Sequence, residues 1–201
     1  QVNGSSLFKI ARNGGTVTLS TLAASAINSL NSVIYSGTTN SLTSGTSNLF
    51  NINKGFSPTS GNAVFNAMIY SATINQTGGA NGITRGLYIS PTLTSAADFR
   101  ALDITNGSIV LPITPQSATY AIKTSDYLIN CTSGTFTVTL PTAVGCDGKH
   151  YIIKNSGSGN VTVATTSSQT IDGSTTYALA TQYKYVHVVS DGANWIIIGN
   201  N

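Results

Sequence analysis

The chain has 201 residues, of which only 7% are charged: nine Lys plus Arg against six Asp, no Glu, and a net charge of +3. Ser, Thr, Asn and Gly make up nearly half of it, a composition that disfavours long helices and leaves few of the general acids and bases that hydrolytic enzymes use. The nine cations are scattered without a basic patch, which argues against nucleic acid as a partner, and no apolar run approaches the length of a membrane-spanning helix.

Disorder is not the reading either. Hydrophobic residues are 40% of the chain and sit in short β-branched and aromatic runs, whereas disorder combines low hydrophobicity with high net charge. A surface this weakly charged has little repulsion to keep copies apart, which favours assembly. The sequence opens at Gln1 without a start Met or signal peptide and reads as part of something longer.

In chain order, residues 7–20 (LFKIARNGGTVTLS) read as a β-hairpin about the turn Asn13-Gly14-Gly15. Residues 21–34 hold the best helical pattern, with Ile27, Leu30 and Ile34 on one face and Ser20 or Thr21 as cap; the predicted helix is short, over 21–31. Ser36 to Asn48 reads as loop or edge strand. Strand-like runs follow through Met68-Ile69-Tyr70 and over 83–93, separated by the turn signal QTGGANG at 76–82. The hairpin pattern then returns at 101–112 (ALDITNGSIVLP), where Asn106-Gly107 matches Asn13-Gly14, with a weaker echo at 48–56. A repeated strand–turn–strand unit points to an elongated, modular body.

Pro112 and Pro115 predict an extended connection and a boundary over 112–118. Beyond it the predicted strands are Tyr120–Lys123, Tyr127–Cys131, Thr135–Leu140, His150–Lys154, Asn160–Ala164, Thr176–Leu179, Tyr183–Val189 and Trp195–Ile198. Turn signals at Ser133-Gly134, Gly145 to Gly148, Asn155 to Gly159, Asp172-Gly173 and Asp191-Gly192 separate them. Eight short strands at this spacing are the signature of an antiparallel sandwich or barrel.

The chemistry-bearing residues are few. Asp98, Asp103, Asp126, Asp147, Asp172 and Asp191 are the whole carboxylate inventory, and the last three sit in or beside Gly turns, where Asp bonds its own backbone; no catalytic residue is assigned. His150 and His187 lie in strand-like runs without paired metal-ligand spacing and read as ordinary strand residues, although one His facing a trimer axis would supply three ligands by symmetry. No metal or cofactor is therefore expected. Cys131 and Cys146 read as two reduced thiols, with a disulfide as the alternative. Aromatic side chains remain as recognition groups. Tyr183, Tyr185 and Trp195 are the candidate ligand-binding residues, since exposed aromatics stack on sugar rings or anchor interfaces. Tyr183, Tyr185 and His187 alternate and so share one strand face; burial of both faces in sheet packing is the competing reading.

Residues 118–199 resemble a C-terminal module of tail fibres and related appendages of tailed bacteriophages. The matching stretches are DYLINCTSGTFTVTLP (126–141), KHYIIKNSGSGNVTVA (149–164), QTIDGST (169–175) and DGANWIIIG (191–199). Upstream, residues 81–107 look like a shaft repeat of similar fibres, particularly from phages of Bacteroidetes. The resemblance implies an all-β, elongated homotrimer with residues 1–20 ending one shaft repeat, 21–112 forming an interwoven β shaft, and 118–201 forming a C-terminal antiparallel β-sandwich head. It implies a virion location, other virion proteins upstream of Gln1, and attachment to a host cell-surface receptor of carbohydrate type. It carries over no functional residues, and Asp191 to Trp195 reads as a turn into a buried last strand. The alternatives are a structural spacer or decoration fibre, a tailspike depolymerase, and a secreted bacterial adhesin.

Overall fold

The computed structural model describes residues 46, 52, 55–75 and 83–201. The chain divides into two compact units, Gln1–Ser71 and Ala72–Asn201. The hairpin expected at 7–20, the helix over 21–31, the loop from Ser36 and most of the echo at 48–56 lie outside the described residues.

All regular structure among the described residues is β, in nine strands of the second unit. They are β1 (Ile113–Gln116), β2 (Tyr120–Ala121), β3 (Leu128–Cys131), β4 (Phe136–Thr139), β5 (His150–Asn155), β6 (Val161–Ala164), β7 (Thr176–Leu179), β8 (Tyr185–Ser190) and β9 (Trp195–Asn200). They form a five-stranded sheet in the order β1-β3-β5-β8-β9 and a four-stranded sheet in the order β2-β4-β6-β7.

The strand directions correct the antiparallel expectation. β1–β3, β3–β5, β2–β4 and β4–β6 are parallel; only β5–β8, β6–β7 and β8–β9 are antiparallel. The cause is the order in which the chain visits the sheets. From β1 to β6 it alternates between them, so each strand meets its sheet neighbour only after a full circuit and runs the same way. Parallel pairing needs a long crossover, and the intervening strand of the other sheet supplies it. The chain reverses only at β7, and the last strands pair antiparallel.

A second correction concerns 112–118. The two prolines do not make a mere connection: Ile113–Gln116 is a strand at the edge of its sheet. An edge tolerates Pro115 because one row of its backbone groups needs no partner in the ladder.

The sheets share one core. Period-2 burial runs iBiBiB in β5 and β8 and BiBi in β6. The inward positions, Ile129, Tyr151, Ile153, Val186 and Val188 from one sheet and Val138, Val161, Val163 and Leu179 from the other, are at most 1% exposed. Trp195 closes this core against Tyr151, with ring centroids 5.5 Å apart and tilted by 54°. Tight backbone approach joins the β3–β4 turn to the loop before β6. A Cβ on Gly159 would lie 2.0 Å from the Gly134 carbonyl oxygen, and one on Gly157 would lie 2.8 Å from the Ser133 Cα. Only glycine fits at either position.

The strand-like segments upstream behave differently. Residues 55–75 and 83–111 carry neither strand nor helix, and all are exposed. The hairpin expected over 101–112 and the strand over 83–93 therefore do not form within the chain. Strand propensity is a fit to a pleated neighbour, and among the described residues no segment pairs with them. Eleven large apolar side chains from Ile83 to Leu111 stand exposed, among them Leu87 at 74%, Leu102 at 65% and Val110 at 91%.

Candidate functional site

The three candidate ligand-binding residues separate into different environments. Trp195 is 1% exposed and forms part of the core, so its indole presents no face to a ligand. The Asp191 turn delivers it there: Asp191 Oδ1 accepts from the backbone N–H of Asn194 at 2.6 Å and Ala193 at 2.8 Å. Those N–H groups hold the Asp191 carboxyl below the usual carboxylate range.

Tyr183 is the opposite case. Its ring is 61% exposed, and its backbone has φ of 71°, a left-handed conformation that is a genuine outlier for a bulky residue. It lies before β8, so it does not alternate in register with Tyr185 and His187, which do share the outward face of that strand. The backbone is held in place from three sides. The Tyr183 N–H donates to the Asn155 carbonyl at 2.6 Å, Lys154 Nζ donates to the Tyr183 carbonyl, and Asn201 Nδ2 donates to it at 3.4 Å. Lys154, at the end of β5, pairs with Tyr185 across the ladder. Its ammonium stands 5.7 Å from the Tyr183 ring and 5.8 Å from the Tyr185 ring, within reach of cation–π attraction.

Asn155 is the hidden support of this corner. It is 1% exposed, and its Nδ2 donates to the carbonyls of Gly159 at 2.7 Å, Leu179 at 2.9 Å and Thr181 at 3.3 Å. Its Oδ1 accepts from the Gly157 N–H at 3.2 Å. One buried amide thus ties the loop before β6 to the β7–β8 connection that carries Tyr183. The sequence marked it only as the start of a turn; its role depends also on the Leu179 and Thr181 carbonyls, which the fold brings to it.

Further along the outward face, β5 and β8 bring His150 and His187 together. In this ladder Ile152 faces His187 and Val189 faces His150, so the histidines are diagonal neighbours. His150 Nδ1 lies 3.0 Å from His187 Nε2, with ring centroids 5.2 Å apart. Burial and the neighbouring His150 both hold His187 below the ordinary histidine value. Apolar side chains line much of this outward face, through Leu128, Ile152, Val189, Ile196 and Ile198, with Asn130 and Lys154 among them.

The carboxylates are mostly engaged in structure. Asp98 and Asp103 flank Arg100 at 2.9 and 2.7 Å, and Asp172 Oδ1 accepts from the Ile197 N–H at 3.2 Å. Asp126 is 6% exposed and accepts three bonds: from Thr114 Oγ1 at 2.8 Å, Tyr120 Oη at 2.9 Å and the Lys123 N–H at 2.7 Å. Burial pushes its pKa up, but the Lys123 N–H, Thr114, Tyr120 and the Lys123 charge outweigh it, and the net direction is down. Both cysteines are free thiols, Cys131 buried and Cys146 half-buried. Burial raises the Cys131 pKa to about 11.

No protein-family model matches this chain, and no curated protein is significantly similar to it.

Proposed function

We propose that this chain is the C-terminal part of a trimeric attachment fibre of a tailed bacteriophage, structural and receptor-binding, and without catalysis. The observation that carries the reading is the row of eleven exposed apolar side chains from Ile83 to Leu111, over a segment with strand-like sequence and no strand partner among the described residues. Burying such a side chain gains about 1.5–3 kcal/mol, so covering most of them outweighs an association cost of about 4–15 kcal/mol. Three copies around one axis supply both the missing ladder partners and the shared core, forming the shaft. The two sheets beyond Ile113 form the sandwich head. The phage-fibre resemblance of residues 118–199 supplies the biological setting: a virion location, upstream virion proteins and a carbohydrate receptor on the host surface.

Receptor contact falls to the corner held by Asn155, where Tyr183 offers an exposed ring beside the Lys154 ammonium. A strained backbone persists only where its surroundings over-determine it, and such strain clusters at functional positions. On a glycan array the protein should bind a restricted set of sugars. Tyr183→Ala should weaken that binding at least tenfold while leaving the fold unchanged by circular dichroism. Absence of binding to any glycan and to host cells would overturn the receptor role.

The structural-spacer alternative draws on one observation of its own. The outward face of the five-stranded sheet is apolar along Leu128, Ile152, Val189 and Ile196, a character suited to packing against another chain.

A further inference from the structure

We propose that His150 and His187 form a bidentate site for a divalent transition metal, binding Cu²⁺ most tightly and Ni²⁺ and Zn²⁺ more weakly. The case rests on the sheet and not on the attachment reading. His150 Nδ1 and His187 Nε2 stand 3.0 Å apart. Two imidazole nitrogens bound at about 2.0–2.1 Å to one ion lie about 2.9 Å apart at a right angle and about 3.3 Å apart at a tetrahedral one. The observed separation already falls in that interval, so binding asks for small ring rotations and no movement of the strands.

The backbone holds the pair in this geometry. β5 and β8 are interior strands of the five-stranded sheet, and the register fixes the histidines as diagonal neighbours. On the β9 side, His187 faces Gly199, where an added Cβ would stand 3.7 Å from both the His187 Cβ and the Tyr185 hydroxyl. That glycine carries no side chain to crowd the ring, and the Tyr185 ring is the group next to it. Both histidines are half-buried, so solvent reaches the site.

Proton bookkeeping closes without an added reactant. In the free pair one ring donates its N–H to the lone pair of the other. On binding, the donor ring carries its hydrogen on its other nitrogen, through water, and both facing nitrogens then present lone pairs to the ion. Among the described residues no group of three or more His, Cys, Asp or Glu gathers around one point, so the chain supplies two ligands and water the rest. A two-nitrogen site with open positions suits ions high in the Irving–Williams order, hence copper first.

The test is a titration of the full chain with CuSO₄ and, separately, ZnCl₂ in a non-chelating buffer, followed by calorimetry and by electron paramagnetic resonance for copper. The expected result is one ion per chain, a copper spectrum with hyperfine coupling to two nitrogens, and at least tenfold weaker binding in both His150→Gln and His187→Gln. Cys146→Ser should bind as the parent does. On the unaltered protein, Zn²⁺ should protect both histidines from diethyl pyrocarbonate, which needs no variant to fold. Copper binding unchanged in the doubly substituted chain, or histidine modification unaffected by Zn²⁺, would overturn the proposal.

Discussion

At the scale of single residues, the buried polar groups decide more than the exposed ones. Asp126 joins β1, β2 and the turn before β3 through three donors, so Asp126→Asn removes a charge and turns one acceptor into a donor that faces other donors. A hydrogen bond to a charged group is worth about 1.5–3 kcal/mol, and we expect a loss of about 2 kcal/mol in urea unfolding. Its pH dependence has a definite sign. Because the folded-state pKa is depressed, the carboxylate's stabilisation is fully present above the unfolded value of about 3.9 and disappears as pH falls through the lower folded value. Acid unfolding followed by the fluorescence of Trp195, the single tryptophan, should show this limb in the parent and a flatter one in Asp126→Asn. The thiols give a second check. Cys131 is fully buried with its pKa raised to about 11, so the native protein should take up at most one iodoacetamide per chain, at Cys146, and two after denaturation. Mass spectrometry of intact protein reads this directly; alkylation of native Cys131 would contradict the placement of β3. At this scale the sequence was partly legible. The Asp-Gly turn marked Trp195 as entering a buried strand, and its burial excludes the ligand-binding role also expected of it. The His150–His187 pair, 37 residues apart, gave no local signal. Asp126 did not stand out although its partners Lys123, Tyr120 and Thr114 lie nearby in the chain.

At the scale of elements, period-2 patterning and Gly turns located eight strands beyond residue 118, with ends shifted by a residue or two. Alternation does not encode direction, since a strand that alternates sheets along the chain has the same in–out period as one in a meander. That is why the parallel pairs β1–β3–β5 and β2–β4–β6 escaped the reading. Pro112 and Pro115 hid β1, because a proline rules out a central strand but not an edge. The circuits between the sheets depend on close backbone approach. Gly159→Ala would place a methyl 2.0 Å from the Gly134 carbonyl oxygen and should cost more than about 3 kcal/mol by overpacking. Gly173, with φ of +86° and nothing within 4 Å of its added Cβ, should cost only about 1–2 kcal/mol when changed to Ala, the strain of a left-handed residue. Comparable losses for the two in urea unfolding would contradict the role given to the Gly134–Gly159 contact.

At the scale of the whole molecule, the absence of Glu and the low charge take on a specific meaning beside the exposed side chains of 83–113. On the proposed reading, strand-forming sequence without a strand partner among the described residues is a surface that another copy would cover, and a nearly uncharged surface allows copies to meet without repulsion. The strands read into 83–93 and 101–112 from local propensity do not form, because propensity alone does not make a strand without a pleated neighbour. The measurement that tests this most directly is the mass of the assembly, by mass photometry or sedimentation at micromolar concentration. The account predicts a single species at three times the chain mass of 20.7 kDa, and a stable species at one chain mass would contradict it.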